Sequence, residues 1–107
     1  MIDVYKCLDF IRDEAPAYAR AKADRIYCDE YRKSLKALLM AQSTAKTAVE
    51  REQEAYSSPE YIAHLEALRV AVEAEETLRW RLIGAEAKIE CWRSLEASNR
   101  RMDKGAM

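Results

Sequence analysis

Three cysteines, Cys7, Cys28 and Cys91, and a single histidine, His64, are the side chains with the clearest capacity for chemistry. A thiolate beside an imidazole makes a nucleophile, and three thiolates with an imidazole can hold zinc. Their spacing argues against both. No two cysteines form a CxxC pair, so a metal site would need four distant positions to converge. An odd number of unpaired thiols reads as reduced, apolar side chains of a cytosolic protein. No Ser/His/Asp set can be assembled around His64, which reads as a boundary or surface residue on a helix. The two glycines, Gly84 and Gly105, are too far apart to build a phosphate-cradling loop. The expectation is a non-enzyme with no catalytic residue, metal, cofactor or small-molecule substrate.

The elements that position these residues read as helices. Half of the 107 residues are hydrophobic, yet only two are Gly and two Pro. Such a chain can run in long helices with few turns, and alternating β-branched runs are missing. The class is all-α, in one domain over residues 1–107. A first helix is predicted over about 2–13, from Val4, Cys7, Leu8 and Ile11 on one face. It should stop before Pro16, which disfavours helical geometry at Ala15. A second helix is predicted over 16–53, with a seam of Tyr27, Tyr31, Leu35, Leu38, Gln42, Ala45 and Val49. It is expected to pass through "QSTAKT" (42–47), although Ser and Thr there compete for backbone hydrogen bonds.

In "AYSSPEYI" (55–62), Ser58 capping with Pro59 at the first helical position, or Ser57 capping with Glu60 in a capping box, starts a third helix over 59–101. Its seam reads Tyr61, Leu65, Leu68, Val72, Leu78, Leu82, Ala85, Ile89 and Trp92. Residues 102–107 read as a frayed tail. Each long helix would span about 57 to 64 Å at about 1.5 Å per residue and must fold back on its partner. The expectation is a long antiparallel, coiled-coil-like hairpin with the first helix at its open end. A reversal at 57–58 would set Leu65 near Glu50, Leu78 near Ala37 and Ile89 near Ile26. Ala37, Ala41, Ala45 and Ala48 would then allow close approach.

The third helix has a second apolar stripe. Trp80 lies about 200° from Leu78 at 100° per residue, and Ile83, Gly84, Ala87 and Cys91 cluster with it, Leu95 at the edge. Either the first helix lays Val4, Leu8 and Ile11 over this stripe, or another chain covers it. Large apolar patches on small proteins mark interaction sites. The expected partners are therefore a second copy, in a homo-oligomeric bundle, and another protein.

The net charge of −1 is unevenly spread. Residues 16–40 carry six basic and three acidic side chains (+3), residues 41–77 three and eight (−5), and residues 78–104 seven and four (+3). Asp29 with Lys33, Glu75 with Arg79, and Glu96 with Arg100 have the i, i+4 spacing of helix ion pairs, and Glu75 and Glu76 read as solvated. Arg20, Lys22, Arg25, Arg93, Arg100 and Arg101, with Tyr18, Tyr27 and Trp92, are candidates for contacting phosphates and unpaired bases. Against that stands an acidic chain with no known nucleic-acid-binding signature. The acidic segment offers the reverse reading, occupation of a nucleic-acid channel on an enzyme.

The amino terminus has no basic start followed by an apolar run, so it does not read as a secretory signal, and no apolar run is long enough to span a bilayer. The cytoplasm is the expected location.

"KIECWRSLEASNRR" (88–101) resembles the carboxyl ends of small uncharacterised helical proteins encoded in tailed-phage genomes, some near genes for DNA recombination or replication. The resemblance covers about an eighth of the chain and carries over no site residue. It implies a bacterial host cell and an accessory factor in phage DNA metabolism. The alternatives are a phage-encoded inhibitor of a host defence or nucleic-acid enzyme, similar to an anti-CRISPR protein, and a single-strand-binding accessory protein.

Overall fold

The computed structural model describes residues 1–105. It contains α1 (Val4–Gln42), α2 (Ala48–Ser57) and α3 (Pro59–Gly105). Long helix α3 packs antiparallel against α1, and short α2 lies between them. The contacts group into two compact units, Arg20–Glu75 and the combination of Met1–Ala19 with Glu76–Met107.

Asp3 starts α1, its carboxylate accepting the amides of Tyr5 at 3.1 Å and Lys6 at 3.2 Å. The helix does not stop at Pro16, which lies inside it. The separate helix over 2–13 is therefore corrected to the first turns of α1. The reason is placement. Val4, Cys7, Ile11, Glu14, Tyr18 and Ala21 are the shielded residues at alternating steps of three and four, while Arg12 and Pro16 are exposed. The carbonyl that Pro16 leaves without an amide is that of Arg12, where water can reach it. A seam running in step across the proline favours the continuous helix.

The break comes instead at 43–47. The Ser43 amide still reaches the Met40 carbonyl at 3.2 Å. Its hydroxyl then accepts the Ala45 amide at 3.1 Å and donates to the Glu54 carboxylate. Thr47, extended at φ −109° and ψ 154°, caps α2 by accepting the Glu50 amide at 3.1 Å. Thr47 and Glu50 have the spacing of a capping box, the signal that outweighs helix continuation here.

The second corner is one residue long. The Ser58 hydroxyl donates to the Ala55 carbonyl at 2.8 Å and accepts the Tyr61 amide at 3.1 Å, closing α2 and opening α3 together. Its ψ of 146° is the extended geometry favoured before Pro59. Ser57 does not cap; its hydroxyl donates back to the Gln53 carbonyl at 2.8 Å. Helix α3 continues to Gly105, past the expected end at 101; residues 106 and 107 of the expected tail lie outside the described residues.

Within Arg20–Glu75 the register differs from that of a single reversal. His64 Nε2 lies 2.7 Å from the Cys28 carbonyl oxygen, and Arg25 faces Glu75. A fold about 57–58 would have set Ala87 and Glu90 opposite Cys28 and Arg25. Two corners and α2 take up the difference, so the pairings expected between α1 and α3, Leu78 with Ala37 and Ile89 with Ile26, do not apply. Ala37, Ala41 and Ala48 are exposed, and the closely packed alanine of this unit is Ala55, 1% exposed. Lys36 holds α2 by an ion pair to Glu52 at 2.9 Å and by lying 4.8 Å from the centre of the Tyr56 ring.

Replacing Ser58 by Ala removes a donor to one helix end and an acceptor for the next. Urea unfolding of Ser58→Ala is expected to show a loss of about 1 kcal/mol or somewhat more, while Ser57→Ala should change stability by less than half as much.

Candidate interaction surface

The surface is what two helical seams leave uncovered. On α3 the shielded positions Tyr61, His64, Leu68, Ala71, Glu75, Leu78, Leu82, Ala85, Ile89 and Trp92 alternate by three and four, with Glu76, Ile83 and Ala97 half-buried outside that series. On α1 the run continues through Arg25, Cys28, Arg32, Leu35 and Leu39. This is the spacing of a coiled-coil seam. Leu65 and Val72, each 41% exposed, fall outside the α3 seam; Tyr27 and Leu38 fall outside the α1 seam, and Val49 on α2 is exposed. Their expected positions are taken by His64, Ala71 and Glu75 on α3, and by Arg25, Cys28 and Arg32 on α1.

The polar members of the seam are satisfied where they lie. Arg25 donates to both Glu75 oxygens, at 2.6 and 3.0 Å. The Glu75 side chain is only 7% exposed and that of Arg25 31%, so Glu75 is a core residue and not the solvated one expected. Asp29 likewise pairs with Arg32 at 2.7 Å and not with Lys33, and Arg79 takes Glu76 at 3.3 Å. Among the described residues, no buried side-chain nitrogen or oxygen lacks a hydrogen-bond partner. His64 is half-buried against Tyr31, with ring centres 5.3 Å apart. The thiols of Cys7 and Cys28 are partly shielded and that of Cys91 is exposed, all three free. No group of three His, Cys, Asp or Glu among the described residues could hold a metal ion.

In the unit formed by Met1–Ala19 and Glu76 onward, the second stripe of α3 faces away from its seam. Trp80 is 61% exposed and Leu95 56%; Gly84, Ala87 and Cys91 are exposed, and Ile83 is half-buried. Helix α1 does not close over Trp80. Val4 and Ile11 join the seam, and Leu8 stays half exposed. The indole donates to Glu76 at 3.1 Å and has the Arg79 guanidinium 5.2 Å from its ring centre. These contacts on its own helix orient the ring and leave most of its area in water. Leu95 stands apart from Trp80, lining a groove with Met1, Ile2 and Trp92. Gly84 lines another, with Cys7, Phe10 and Ala85. Burying the rest of the Trp80 ring would contribute about 2–4 kcal/mol.

The cationic candidates separate. Arg25 is engaged with Glu75, which removes it as a phosphate contact, and Arg93 is paired with Glu90 at 3.2 Å. Arg20 and Lys22 are exposed in one unit; Arg100 and Arg101 are exposed in the other, beside Lys104 and Asp103. Tyr18 and Trp92 belong to the seam. Tyr27 is 68% exposed and stacks on Tyr31, with ring centres 6.0 Å apart. On the α3 surface of that unit, Arg69 holds the Glu66 carboxyl below its ordinary range by hydrogen bond and charge. What this exposed pair adds is present above the usual glutamate range and is lost as the pH falls through the lowered value.

No helix among the described residues is long and apolar enough to cross a membrane. Compared with protein-family models, curated proteins and solved structures, the chain matches none of them.

Truncating Arg25 removes the cation from a carboxylate that water scarcely reaches, whereas truncating Glu75 leaves a guanidinium with access to solvent. Arg25→Ala is expected to cost about 3–5 kcal/mol in urea unfolding and Glu75→Ala less, while Arg25→Met with Glu75→Leu should recover most of the loss.

Proposed function

We propose that this chain is a non-catalytic helical interaction protein, which assembles with a second copy and engages another protein through the outward face of α3. The observation that carries the reading is Trp80, an indole 61% exposed beside Ile83, Gly84 and Ala87 on a face that no helix among the described residues covers. The ring is held in place before any partner arrives, so little side-chain freedom remains to be lost on contact. The likeness of residues 88–101 to proteins of tailed phages supports an accessory role in phage DNA metabolism, inside a bacterial host cell. Size-exclusion chromatography with light scattering tests the assembly. The wild-type chain is expected to elute above its monomer mass of 12.4 kDa, and Trp80→Glu to return it to the monomer; an unchanged mass would remove this face from the interface.

A second reading, direct binding of single-stranded nucleic acid, is favoured by Tyr27, an exposed ring stacked on Tyr31, and by the cations Arg20 and Lys22 in the same unit. Base stacking on an exposed ring is indifferent to sequence. A gel shift with oligothymidine at low salt should show retardation that weakens with added salt and falls with Tyr27→Ala. Absence of any shift at low salt ends that reading.

A further inference from the structure

Gly84 is an anomaly in its own helix. Glycine in a helix interior costs roughly 0.5–1 kcal/mol relative to alanine, and a Cβ built on Gly84 would meet nothing within 4 Å. Nothing in the chain's own packing requires the missing side chain. What the glycine does is deepen a groove of about 460 Å³, floored by Cys7, Phe10 and Ala85. Three cations rim that groove: Lys6 from α1, and Arg81 and Lys88 from α3. Arg81 and Lys88 are seven residues apart, roughly 10 Å along the helix, with Gly84 between them. All three are exposed, and none enters an ion pair with another described residue. An apolar floor with an unmatched cationic rim selects a surface that is apolar and acidic together.

The chain carries such a surface in its other unit. Along α2 and the first turn of α3, Val49, Tyr56 and Ile62 are exposed at 65%, 44% and 56%. Glu50 in the first turn of α2 and Glu60 in the first turn of α3 are exposed and in no ion pair with a described residue. Both lie in the segment of residues 41–77 that carries a net −5.

We infer that the groove beside Gly84 receives the acidic segment from α2 to the first turn of α3 of a second copy, with Arg81 and Lys88 taking Glu50 and Glu60 of that copy. The inference rests on the assembling role proposed above and names the two surfaces that meet. They are different patches, so in a twofold dimer the contact is made twice. That makes it testable by exchange of charge. Arg81→Glu with Lys88→Glu, and separately Glu50→Lys with Glu60→Lys, each set like charge against like in both contacts. Mixing the two variants restores opposite charges in one contact and leaves the other as in the wild type.

Light scattering and sedimentation read the outcome, with far-ultraviolet circular dichroism checking that each variant stays helical. Each doubly reversed variant is expected to dissociate, with the dissociation constant raised roughly tenfold or more, and the mixture to regain the wild-type mass. Gly84→Leu starts from a Cβ that meets nothing within 4 Å and puts its side chain into the groove; it is expected to weaken assembly as much, and it serves also if the Glu50→Lys/Glu60→Lys variant fails to fold. A wild-type chain that is monomeric at every concentration removes the assembling role and this contact with it. Assembly that Trp80→Glu abolishes but Arg81→Glu/Lys88→Glu and Gly84→Leu leave intact overturns the groove alone. Loss of mass that the mixture does not restore, with both variants helical, assigns the groove to another acidic surface and overturns the pairing.

Discussion

A buried carboxylate answered by a guanidinium sets the terms for the Arg20–Glu75 unit. Two helices in contact shield only a narrow strip of each, and no large side chain here is fully enclosed. Much of the strip is small or polar, with Ala21, Cys28, His64 and Ala71 among its members. Such a seam discriminates weakly between its own register and one displaced by seven residues. Glu75 discriminates strongly, because its carboxylate is shielded from water and its charge has to be met. A displacement in one direction would bring Tyr18 to the place of Arg25. In the other it would bring Arg32, whose guanidinium already holds Asp29 at 2.7 Å. The register observed meets the charge without robbing another pair.

The same fact explains what sequence reading captured. The all-α class, the antiparallel hairpin and the corner at Ser58 and Pro59 were legible, since composition and capping chemistry are local. The α3 seam was legible at Tyr61, Leu68, Leu78, Leu82, Ala85, Ile89 and Trp92, where buried positions are also apolar. It was lost at His64, Ala71 and Glu75, where they are not, and the apolar Leu65 and Val72 were drawn in instead. On α1 the error was larger, because Arg25 and Arg32 hold seam positions that a count of apolar residues passes over. Steps of three and four carried through polar residues would have found both seams.

The misplaced breaks have a common cause. Pro16 was weighed by what it does to backbone geometry, but its effect depends on which side of the helix loses the hydrogen bond. Inside a long helix Thr47 only competes for backbone hydrogen bonds; as a capping box with Glu50 it begins a new helix. The outward stripe was legible as a set of residues, and Trp80, Ala87 and Cys91 do share an exposed face. The groove beside Gly84 was not, because its cations and its floor come from sequence positions some 75 residues apart and only the fold joins them.

Among the described residues none has positive φ and no peptide bond is cis. Both corners are therefore turned by serine and threonine hydroxyls on ordinary right-handed or extended backbone. Nothing in the path of the chain obliges evolution to keep a glycine anywhere. Its two glycines are free to drift as far as the backbone is concerned, so a lineage that retains one at position 84 would be answering to something outside the polypeptide.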